Sequence, residues 1–164
     1  MAATLTPKNP ELVSGPVMAT IEKLILNGQS WNAGQFLNLD ANGLLNSCAS
    51  DDDAGTGGIK YLALSDQTDP GNSTTLEEVG IIESDHIFEG NELDGTVADA
   101  NIGDQYGIDV TSNVVTVDVG DTSNPAVVIT DIGNRFSPAE YASDDIKARV
   151  RFRILTVCLE ATPA

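Results

Sequence analysis

Positive charge is what this sequence has least of. Lys and Arg number 8 against 25 Asp and Glu, for a net charge of −17 over 164 residues. Between Ser30 and Asn134 the only basic residue is Lys60. Such a surface repels phosphate backbones and anionic lipid, which argues against nucleic acid and membrane as partners. There is also no apolar stretch approaching the roughly 20 residues that span a bilayer. Met1–Leu12 has no basic start followed by an apolar run, so no signal peptide is expected.

Chemically active side chains are equally scarce. Histidine occurs once, at His86, with no serine or cysteine motif beside it, so a histidine-based triad has little to be built from. No G-x-S-x-G, H-E-x-x-H or glycine loop ending in Gly-Lys-Ser/Thr is present. The two cysteines, Cys48 and Cys158, match no zinc spacing with His86 and are expected as free thiols without a redox role. His86 itself reads as a surface or strand-edge residue. Aromatics make up 5% of the chain, too few to stack sugars readily. No catalytic, cofactor-binding or metal-ligating residue is assigned.

What the chain does have is glycine, proline and β-branched residues in short runs. Fifteen glycines and seven prolines punctuate segments rich in Val, Ile and Leu. Met1 to Pro16 carries Pro7 and Pro10 and reads as an extended arm, either frayed or exchanged between subunits. Residues 17–164 form one further unit. Val17–Leu26 is read as a strand, hairpinned through Asn27-Gly28 onto a strand near Trp31. Trp31, the sole tryptophan, is a core or interface anchor.

Phe36 and Leu39 do not share an alternating face, which allows a bulge near Leu37. Asp40-Ala41-Asn42-Gly43 is a tight turn, with Gly43 free to take positive φ. Leu44 to Cys48 is the returning strand. Ile59–Ser65 is apolar on nearly both faces and belongs at the centre of a sheet. Glu78–Phe88 is one strand or two short ones, Gly103–Ile108 pairs with Val114–Val119, and Pro125–Ile132 adds another.

Ser137-Pro138-Ala139-Glu140 is a capping box that predicts a short helix over 138–143. In the closing segment Lys147, Arg149, Arg151 and Arg153 alternate with Ala148, Val150, Phe152 and Ile154, a strand with one basic and one apolar face. Those four cations serve either as a solvated edge that deters pairing or as partners for acidic residues of this domain or a neighbour. With Trp31 they are the candidate interface residues.

Eight to ten short strands with turn signals every ~8–12 residues predict an all-β sandwich or barrel-like domain. Calcium is the one metal to weigh. Asp51-Asp52-Asp53 lacks alternate spacing, and the stretch from Asp99 has Asp104 where an EF-hand needs glycine and Val110 where it needs the bidentate glutamate.

Gly34-Gln35-Phe36-Leu37, Ala41-Asn42-Gly43 and Gly57-Gly58-Ile59-Lys60-Tyr61-Leu62-Ala63-Leu64 together resemble the capsid cement, or head-decoration, proteins of tailed bacteriophages. The likeness runs from Trp31 to about Gly90, and its motifs are turns and core positions. It implies a non-enzymatic role: copies made in the host cytoplasm bind the outer surface of an icosahedral virion and hold major capsid protein subunits together. It also implies homo-oligomers, with trimers favoured and dimers possible. The competing expectation is a calcium- or carbohydrate-binding, adhesin-like β-sandwich.

Overall fold

The computed structural model describes residues 7–95, 97–133 and 149–163. Its strands are β1 (Glu11–Ser14), β2 (Thr20–Leu24), β3 (Phe36–Leu39), β4 (Leu45–Ser47), β5 (Tyr61–Ala63), β6 (Leu76–Ile81), β7 (Ile87–Asn91), β8 (Gln105–Thr111), β9 (Val114–Asp118), β10 (Val127–Ile132) and β11 (Arg149–Ile154). A single helical turn, α1 (Thr156–Leu159), follows. The strands form two sheets, one ordered β1-β7-β11-β10-β8-β9 and the other β2-β6-β5-β3-β4, with every strand pair antiparallel. The fold is all-β and sandwich-like. Among the described residues no closed barrel forms, and there are eleven strands where eight to ten are expected. The helix expected over 138–143 lies outside the described residues.

The main core lies between the sheets. Phe36 of β3 meets Phe88 of β7 edge-on at 5.3 Å and Phe152 of β11 at 6.2 Å, while Phe88 and Phe152 stack at 6.0 Å. The few aromatics are therefore spent where the two sheets touch, and truncating any of these three rings to alanine should cost about 3–5 kcal/mol.

A second, smaller core explains why β3 and β5 are apolar on both faces. Leu37 and Ala63 point away from the main core and join Ile25, Trp31, Leu45 and Val79. The five-stranded sheet curls around this cluster until Ile25, just past β2, bridges Leu45 of β4. Phe36 and Leu39 thus serve different cores, and no bulge at Leu37 is needed, since β3 pairs regularly with β4 and β5. As expected, β5 is the central strand of its sheet.

The turn chemistry of Asp40–Gly43 holds. The Asp40 carboxylate accepts the N–H groups of Asn42 (3.0 Å) and Leu44 (2.8 Å), and Gly43 has φ +79°. The Asn27-Gly28 hairpin does not form. Gly28 takes positive φ, but its N–H goes to the Asp69 carboxylate at 2.9 Å and that of Asn27 to Ser73 Oγ. The turn is drawn toward the loop after β5, so Trp31 bridges Gln67, and β2 pairs with β6 instead.

Within the segment read as an arm, Glu11–Ser14 is strand β1, at the edge of the six-stranded sheet. Asn9 fixes the approach to it. Its Nδ2 donates to the carbonyls of Asn113 (2.9 Å) and Ala33 (3.2 Å), and its Oδ1 accepts from Val115 N (2.8 Å).

Candidate interaction surfaces

β11 alternates as the sequence predicts, with Val150, Phe152 and Ile154 buried and the arginines turned to the outer face. Its position differs from one expectation. β11 lies between β7 and β10, hydrogen-bonded on both sides, so its cations do not guard an edge. They meet acids of the same domain. Arg149 Nη1 lies 2.7 Å from Glu89 Oε1, and Arg151 Nε lies 3.2 Å from Glu89 Oε2. Register extends this into a row across four strands: Glu11 opposite Glu89, Glu89 opposite Arg151, Arg151 opposite Asp131. One arginine row thus offsets carboxylates that would otherwise face one another, a cross-strand pairing that stabilises a sheet locally. Arg153 is exposed and has no ion pair among the described residues. Lys147 lies outside them.

Trp31 is 1% exposed and sits in the smaller core, so it is a packing residue and offers no surface to a partner. His86 is a second correction. It is wholly buried, because its ring staples the turn before β7 to the chain leaving β1. Nδ1 accepts from Glu83 N at 2.9 Å, which places the proton on Nε2, 3.0 Å from the Pro16 carbonyl it donates to. The sequence carried no signal for this, since the bond depends on a partner 70 residues away.

Both cysteines are free and buried. Burial pushes the Cys158 thiol up to about 11 and that of Cys48 well above the ordinary range, so neither is a nucleophile at neutral pH.

The loop after β4 brings Asp51 near Asp109 of β8, Asp118 of β9 and Asp121 just beyond it. Asp51, at φ +64°, is raised by desolvation and then by the carboxylates of Asp121, Asp118 and Asp109. Burial pushes Asp121 up as well, but hydrogen bonds from the backbone of Ser123 and Asn124 outweigh it and leave its pKa lowered. Asp52 is raised chiefly by burial. Among the described residues no three carboxylate, thiol or imidazole groups are arranged to hold a metal ion.

A largely apolar cleft of about 310 Å³ opens on the outer side of β8 and β9, lined by Pro7, Leu93, Asp109, Thr111, Ser112, Val114 and Thr116. Among the described residues no helix is long and apolar enough to cross a membrane. Comparison with protein families, with curated proteins and with solved structures finds no match to this chain.

Proposed function

We propose that this chain is a structural cement protein of the tailed-bacteriophage type. In this reading copies sit on the outer surface of an icosahedral head, bridge major capsid protein subunits and act as homo-oligomers, trimers first. One observation carries it. The residues that bear the resemblance are the frame of the five-stranded sheet: Gly34 and Gly43 at positive φ, Phe36 and Leu37 in the two cores, Gly58 and Ile59 against the C-terminal turn, and Leu62 and Ala63 at the sheet centre. The groups best suited to chemistry, His86, Cys48 and Cys158, are spent on packing. A body of this kind acts through shape and surface contact, and repeated symmetric copies supply avidity to individually ordinary contacts of ~800 Å² per partner.

The test is co-sedimentation of the purified chain with expanded empty heads of tailed phages, with native mass of the free chain alongside. Saturable binding to expanded shells and a defined oligomer support the reading. Failure to bind, together with calcium-dependent melting and glycan binding, moves the assignment to the adhesin-like alternative. Arg153 is the informative position on β11, because Arg149 and Arg151 are already engaged with Glu89. Arg153→Glu should weaken attachment while leaving the melting temperature unchanged.

A further inference from the structure

The cleft beside the β8–β9 hairpin is a built feature of the fold. Asp109 stands opposite Thr116 and Thr111 opposite Val114, so these four side chains share the outer face of the hairpin. Pro7 and Leu93 form walls beside them. Both walls are pinned by hydrogen bonds. Asn9, two residues after Pro7, donates to the Asn113 carbonyl (2.9 Å) and accepts from Val115 N (2.8 Å), and Lys8 N donates to Asn91 Oδ1 at 3.2 Å. Leu93 N donates to the Val117 carbonyl at 2.8 Å. The space they enclose, about 310 Å³, falls within the range of small-molecule sites.

The polar groups around this space favour one sign of charge. Among the described residues Asp109 is the only charged group in the lining, with no cation and no aromatic ring beside it. Its carboxylate is held in place. Ser50 Oγ donates to Oδ1 at 3.0 Å and Thr111 Oγ1 to Oδ2 at 2.8 Å, and each oxygen keeps a lone pair for a further donor. Asp51 lies near Asp109, Asp118 and Asp121, so the negative field here does not come from one carboxylate alone. Thr116 is a second, independent observation. It is 5% exposed, and its Oγ1 has no hydrogen-bond partner, a cost to the fold as it stands. Rotation about χ1 trades the positions of its hydroxyl and its similarly sized methyl group, so the side chain that lines the cleft can offer its oxygen there.

We propose that this cleft binds a small organic cation, a primary ammonium group carried on a compact apolar body. The body packs against Pro7, Leu93 and Val114, and the ammonium donates to the Asp109 carboxylate and to Thr116 Oγ1. One ammonium can meet both, because directly opposed residues on paired strands hold their side chains side by side. An anion of the same shape is repelled by the same carboxylates. A sugar finds no ring to stack on. A second copy of this chain is the poorer occupant, since 8 basic residues in a chain at −17 leave few cations to offer. The inference stands apart from the cement reading and can fail without it.

The test uses the full chain and phenethylamine, protonated at neutral pH, followed by amide chemical shifts. Saturable shifts should centre on Leu93, Val114 and Thr116 and weaken with added salt. Phenylacetate, similar in shape and opposite in charge, should produce none. Asp109→Asn keeps an acceptor for Ser50 and Thr111 and removes the charge. It should weaken binding by about tenfold or more, the loss expected for a hydrogen bond to a charged group. Thr116→Val should weaken binding too, yet melt no lower than the parent protein, since the hydroxyl it removes has no partner in the fold. Asp85→Asn, exposed in the turn before β7 and at the opposite end of that strand from Leu93, should bind as the parent does. Failure of the amine to saturate, equal binding of phenylacetate, or unchanged binding in either cleft variant would overturn the proposal. So would shifts of these amides that follow protein concentration without the amine, the sign of a second copy in the cleft.

Discussion

Lys60 Nζ lies 2.6 Å from the carbonyl oxygen of Leu159 and also donates to the carbonyl of Ala161. The only basic residue between Ser30 and Asn134 thus caps the end of α1, where unpaired helix carbonyls carry partial negative charge. It ties the central region of the five-stranded sheet to the last residues described. Lys60→Met keeps the stem and removes the donors. It should lower unfolding stability by about 1–3 kcal/mol, the range for charge-assisted hydrogen bonds. Urea titration should show the loss, and amide exchange should quicken first in residues 156–163. A stability equal to that of the parent protein would show that the contact contributes nothing.

Gly58 makes the same junction from the backbone side. Its φ is +70°, and a Cβ placed there would lie 2.0 Å from the Cys158 carbonyl oxygen. That atom is backbone and cannot step aside, so Gly58→Ala combines left-handed strain with an overlap. The expected cost is at least about 3 kcal/mol, with loss of the Ile59 N to Cys158 O bond. Gly43→Ala is the control. It shares positive φ, but nothing lies within 4 Å of its added carbon, so it should cost only the backbone strain of about 1–2 kcal/mol.

The sheet register makes a sharper prediction about the arginines. Glu89 is mostly buried and holds both Arg149 and Arg151, so Glu89→Ala leaves two cations facing a reduced set of acids. A loss of about 2–4 kcal/mol is expected, because removing one partner of a partly buried charge cluster costs more than the pair contributes. Arg153→Ala should change stability by less than about 0.5 kcal/mol. Equal effects at the two positions, read by chemical denaturation, would remove the idea that this row is structural.

Much of this molecule could be read from short-range pattern. The Asp40–Gly43 turn, the central place of β5 and the inside-outside alternation of β11 each depend on residues within a few positions of one another. What could not be read depends on distant partners. The Asn27-Gly28 turn has hairpin chemistry, but a carboxylate 41 residues on decides where its backbone bonds go. His86 looks like a polar surface residue until Pro16 supplies an acceptor. β3 looked bulged because a period-two rule assumes one core, and this fold has two. The arginine row was visible as a basic face, but Glu89 and Asp131 join it only through strand order.

The last prediction concerns acid. Burial raises the Asp52 carboxyl above the usual carboxylate value, although its Oδ2 accepts from Ala49 N at 2.8 Å and from Asn38 Nδ2 at 3.2 Å. A folded pKa above the unfolded one, about 3.9, means a stabilising contribution that is complete below that value and lost as pH rises through the folded one. The ionised form at neutral pH is therefore a net cost. Asp52→Asn keeps an oxygen for both donors and removes the charge. The variant should melt higher than the parent protein at pH 7, and the two should converge near pH 3, where the parent carboxyl is protonated. Asp69 runs the other way. Its carboxylate is lowered by hydrogen bonds from the backbone N–H groups of Gly71 and Gly28, so its contribution is present above the unfolded value and lost as pH falls through the folded one. Asp69→Ala should melt lower than the parent at pH 7, with the gap closing in acid. Paired melting curves from pH 3 to pH 7 separate the two carboxylates by sign, and a gap of the same sign for both variants would refute the assignment.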